Sequence, residues 1–109
     1  MMVIDALEDE EHTVELELTV RDLTCICPVN GQTDTFTVRV NYHPMRGRVL
    51  ELGAFRALLE GYRDSKITHE ALTLDVLTTL VEQIQPAQLD ITTIWAPVEG
   101  VECVVRVAA

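Results

Sequence analysis

No apolar run in this chain approaches the roughly 18 residues needed to cross a bilayer, so no membrane partner is expected. The opening Met1-Met2-Val3-Ile4-Asp5 has no basic stretch and no small-residue cleavage site. A secretory signal is therefore not expected. Bases are scarce: 8 Lys and Arg stand against 18 Asp and Glu, a formal net charge of -10. That excludes a histone-like nucleic-acid binder. Cysteines number 3, an odd count that points to reduced thiols and a cytoplasmic protein. Repeats and low-complexity segments are missing, and 109 residues leave room for a single domain, 1–109. Its acidic N-terminal segment, residues 1–11, is expected to be flexible.

What is present is an ordinary globular balance, 48% hydrophobic and 24% charged. Charge is uneven along it. Residues 1–20 carry seven acids and no base, whereas residues 39–69 carry Arg39, Arg46, Arg48, Arg56, Arg63 and Lys66 against Glu51, Glu60 and Asp64. Such a stretch reads as solvated helix surface, or as a basic zone able to meet phosphates once copies assemble.

Val14, Leu16, Leu18 and Val20 alternate with polar residues and predict a strand over 13–21. Phe36, Val38, Val40 and Tyr42 predict a second over 35–42. Asp22 to Asp34 between them reads as a long loop, and long loops in compact domains are often functional. Leu52, Phe55, Leu58, Leu59 and Tyr62 share a helical stripe over 51–63, and Val76, Leu77, Leu80, Val81 and Ile84 another over 69–85, with Thr68 as cap and Pro86 after the end. Leu89, Ile91, Thr93 and Trp95 alternate, as do Val101, Cys103, Val105 and Val107, with a turn at 96–100. The order ββααββ predicts an α+β fold, an antiparallel four-stranded sheet with both helices on one face.

Chemistry concentrates in Cys27-Pro28-Val29-Asn30-Gly31-Gln32-Thr33-Asp34 and in Thr68-His69-Glu70 at a helix start. A thiol can attack an electrophilic carbon, a carboxylic acid can supply a proton and an imidazole can assist its transfer. Cys25 reads as structural, Cys103 and Trp95 as packing, and His43 before Pro44 as a turn residue. Cys25, Cys27, His43 and His69 make a poor zinc set, because Cys-x-Cys is an unfavourable structural spacing. Without more, His69 and Glu70 read simply as first-turn residues suited to the helix dipole.

The run from Cys27 to Asp34 resembles the Cys-Pro-x-x-Gly-Gln-x-Asp motif of the QueF family, and His69-Glu70 resembles its His-Glu pair. The resemblance covers about Leu18 to Val107. It implies the tunnelling fold, with subunits joined edge to edge into a ring barrel, as pentameric rings stacked into a decamer. It also implies roles. Cys27 would attack the nitrile carbon of 7-cyano-7-deazaguanine, Asp34 would protonate the nitrile nitrogen, His69 would assist and Glu70 would bind the guanine-like edge. Reductase members carry Glu-Ser-Lys-Ser-Leu-Lys for NADPH, whereas here the run is Glu51-Leu52-Gly53-Ala54-Phe55-Arg56. That departure, and the short chain, resemble the archaeal QueF-like branch, whose members use ammonia to make archaeosine in tRNA. The expected partners are then tRNA carrying 7-cyano-7-deazaguanine, and ammonia, with no cofactor. NADPH-dependent nitrile reduction is the alternative, and noncatalytic purine binding the third reading.

Overall fold

The structure, a computed structural model, describes residues 2–5 and 11–109. Its order is β1 (Val3–Asp5), β2 (Leu16–Ile26), β3 (Thr33–His43), β4 (Arg48–Leu50), α1 (Leu52–Glu60), α2 (His69–Ile84), β5 (Gln88–Val98) and β6 (Val101–Ala108). Strands β2-β3-β5-β6 form one antiparallel sheet, and β1 and β4 pair in a second, two-stranded one. The α+β fold with both helices over one sheet face is the architecture expected. The β1–β4 pair was not, since three residues carry no readable period. Glu8, Asp9 and Glu10 of the acidic N-terminal segment lie outside the described residues.

The core lies between sheet and helices. The sheet contributes Leu23, Phe36, Val38, Val40, Tyr42, Leu89, Ile91 and Trp95; the helices contribute Phe55, Leu59, Leu72, Val76, Leu80 and Ile84. The opposite sheet face keeps Glu17, Arg39, Asp90, Glu102 and Arg106 exposed, as the alternation requires. On α1 the stripe is narrower than its spacing implied: Leu52, at the first turn, is 63% exposed.

The long loop expected from 22 to 34 is mostly strand. Alternation breaks because β2 bulges: Val20 pairs with Val38 and Leu23 with Phe36, so Arg21 and Asp22 together face Thr37. Asp22 takes a left-handed backbone, φ 61°, and burial resumes at Leu23 and Cys25. The true loop is residues 27–32. Likewise β5 runs on past Trp95 to Val98, with a register irregularity that accommodates Pro97. The turn to β6 is only Glu99-Gly100, at φ 52° and 74°, the positive pair that tight hairpins prefer.

Helix ends are individually closed. The Glu51 carboxylate accepts from the Gly53 and Ala54 amides and caps α1. Thr68 Oγ1 accepts from the Ala71 amide at 3.2 Å and caps α2. At the far end of α2, Arg48 donates to the Gln83 carbonyl at 2.9 Å, a cation where the helix dipole is negative.

Candidate active site

Six residues separate β2 from β3, and they fold into a closed turn. The Cys27 amide donates to the Gln32 carbonyl at 2.8 Å, and the Gly31 amide to the Cys27 carbonyl at 3.0 Å. Asn30 Oδ1 accepts from the Gln32 amide at 2.9 Å. Gly31 sits at φ 75°, which a residue with a Cβ adopts at a cost.

The strand end is tied to the connection between the helices. The Ile26 amide donates to the Ser65 carbonyl at 2.9 Å, and the Ile67 amide to the Ile26 carbonyl at 3.1 Å. A parallel bridge, Ile26 with Lys66, results. It delivers the start of α2 to the Cys27 turn, which sequence spacing alone could not establish.

Cys27, Asp34, His69 and Glu70 accordingly line one cavity of about 190 Å³, together with Pro28, Val29 and Thr68. Asp34, on β3, is 8% exposed, and its Oδ2 lies 3.3 Å from His69 Nε2. A buried carboxylate beside an imidazole has a partner for its charge and a route for its proton. Cys27 is half-buried, and Glu70 projects from the first turn of α2.

The neighbouring thiol differs. Cys25 is fully buried, and burial, then the Asp34 carboxylate, then Cys27 push its thiol up to about 11. It stays protonated and inert at neutral pH. Cys103 is half-buried against the core, as its alternation suggested. His43 pairs with Glu15 at 3.1 Å, remote from the cavity.

Trp95 packs in the core, as its alternation suggested, and also reaches the cavity residues. Its indole lies flat on the His69 ring, centroids 3.7 Å apart at 9°, and it also stacks on Phe36 at 4.4 Å. Of the residues behind it, the sequence marks Thr93 only as an inward strand position and does not mark Thr73. The spacing of four from His69 to Thr73 was the available signal, since it puts both on one helix face.

Among the described residues, no group of three or more His, Cys, Asp or Glu is placed to hold a metal ion. No helix among them is long and apolar enough to cross a membrane. A larger groove, about 320 Å³, crosses the polar sheet face between Glu17, Arg39 and Asp90, but no thiol or imidazole lines it.

A family described as QueF-like protein matches residues 33–109. The NADPH-dependent 7-cyano-7-deazaguanine reductase of Frankia casuarinae is 36% identical over 83 residues, covering 76% of this chain and 66% of that protein. The enzyme of the same name from Aquifex aeolicus is 31% identical over 97 residues, covering 89% of this chain and 74% of its own length. The chain therefore spans about two thirds of the Frankia relative. Among solved structures, the archaeosine synthase QueF-Like in its apo form superposes with a TM-score of 0.81 at 29% identity, covering 87% of this chain and 92% of that one.

Proposed function

The chain belongs to the QueF-like protein family, and from that premise we propose that it is a tRNA-modifying amidinotransferase. It converts 7-cyano-7-deazaguanosine in tRNA to archaeosine with ammonia, through a covalent thioimide on Cys27. The observation that carries this reading is the single cavity shared by Cys27, Asp34, His69 and Glu70.

The chemistry balances without a redox step. The Cys27 thiolate attacks the nitrile carbon and one π pair moves to nitrogen, which takes a proton from Asp34. Ammonia adds to the thioimide carbon, and the proton it sheds passes through His69, 3.3 Å from Asp34, to restore the acid. The tetrahedral centre then collapses and the thiolate leaves. Nitrile and ammonia have become an amidine, and Cys27 is free again. Glu70 accepts paired N–H donors from the base edge.

Relatives are named NADPH-dependent, so reduction of the same nitrile is the competing reading. The start of α1 does not fit that cofactor. Glu51 closes the free helix amides itself, accepting from Gly53 at 3.1 Å and Ala54 at 2.6 Å. A Cβ at position 53 would meet Glu51 Oε1 at 3.3 Å. Arg56, the remaining cation, is paired with Glu60 at 2.8 Å. No hydroxyl or unpaired cation of this run is left for a phosphate. Subunits are expected to assemble through their open strand edges.

Intact mass after mixing with 7-cyano-7-deazaguanine tests the covalent step: wild type gains one base, and Cys27→Ala gains nothing. Ammonium with the tRNA substrate should then yield the amidine without oxidising NADPH. NADPH consumption with an aminomethyl product would hand the reaction to the reductase reading.

A further inference from the structure

The stack on His69 and the hydrogen bonds behind it belong to one device. We infer that Trp95, Thr93 and Thr73 are positioning residues that clamp His69 by its ring and its backbone together; this rests on the reading of the cavity as a nitrile-converting site.

The direction of the chain is fixed by donor count. Thr73 donates its hydroxyl hydrogen to the His69 carbonyl, 2.8 Å away. Its oxygen, 2.7 Å from Thr93 Oγ1, can then only accept. The Trp95 indole N–H, a donor only, reaches the same Thr93 oxygen at 2.8 Å. The order is indole to Thr93, Thr93 to Thr73, Thr73 to the His69 carbonyl. The circuit closes through space, because the same indole lies flat on the His69 ring. That contact leaves the imidazole only in-plane freedom, with Nε2 on Asp34.

Packing alone does not call for this arrangement. Both threonines are fully buried in an apolar core. Valine has the same shape with no hydroxyl to satisfy. The titratable groups that share the cavity with the imidazole are Asp34 from β3, Cys27 from the turn after β2 and Glu70 from its own helix. None of them fixes the ring plane; the indole does.

Trp95 is the chain's sole tryptophan, so its emission reports the contact without any ligand. An imidazole stacked on indole alters its emission, so at one fixed pH His69→Ala should change the intensity or wavelength of the Trp95 emission. Emission unchanged by His69→Ala overturns the clamp. On turnover, Thr93→Val should lower kcat about tenfold with KM within about twofold, and Thr93→Ser should restore it. Full turnover by Thr93→Val equally overturns the proposal. Should wild type form no adduct with the nitrile base, the functional reading fails, while the emission of His69→Ala against wild type still decides whether indole and imidazole are in contact.

Discussion

Cys25 and Cys27 lie two positions apart in different surroundings. Cys25 points into the core, fully buried and with its thiol raised to about 11, whereas Cys27 lines an open cavity. Iodoacetamide on the native protein should therefore carboxamidomethylate Cys27 and leave Cys25 untouched until denaturant is added, as peptide mass spectrometry would show. Labelling of Cys25 at the same rate would contradict the burial. The shift also sets an alkaline limit. The unfolded chain releases the Cys25 proton near 9.0, and the folded chain holds it to about 11. The unfolded state thus binds fewer protons between those values, and stability, full below the lower one, falls as pH rises through the upper one. Thermal melting from pH 8 to 11 should fall less steeply in Cys25→Ala. Some fall should remain, because burial also raises Tyr42 and Tyr62.

At the level of elements, the site depends on one junction and one cap. Ile67→Pro removes the amide that bonds the Ile26 carbonyl, a loss of about 1 kcal/mol. It should loosen the Cys27 turn from α2, and adduct formation should drop well before the melting temperature does. Thr68→Ala removes the α2 cap at a cost of about 1 kcal/mol. For a domain of this size that lowers the melting temperature by roughly 4–8 °C, readable by circular dichroism. The helices were legible because the Phe55, Leu59 and Tyr62 stripe and the Val76, Leu80 and Ile84 stripe carry strong periods. The reach of β2 was not, because a bulge resets alternation at a point where neither Arg21 nor Asp22 is apolar. The cavity residues were legible only as two separate motifs. Their meeting depends on the bridge between Ile26 and Lys66, formed by backbone groups that leave no mark on side-chain pattern. The Trp95, Thr93 and Thr73 circuit depends on β5 crossing under α2, which no local spacing encodes.

For the whole molecule, the sheet order β2-β3-β5-β6 leaves, among the described residues, β6 open along its outer edge and β2 open except at the bridge from Ile26 to Lys66. On β6, Val101 is 65% and Val104 45% exposed. Unpaired edges with apolar side chains favour association. Light scattering should give a mass that is a multiple of 12.2 kDa, and Val104→Lys should shift it downward. A wild type that stays at the protomer mass at micromolar concentration would remove the proposed assembly.

The bulge at Arg21 and Asp22 has a further effect on the candidate site. In a regular strand the even-numbered residues that bury Leu18 and Val20 would continue inward, and position 27 would emerge among the charged groups of the opposite surface. One surplus residue reverses that parity and brings the sulfur out on the side where the imidazole waits. Deleting Asp22 should thus abolish alkylation-sensitive chemistry at the cavity while sparing every residue that lines it.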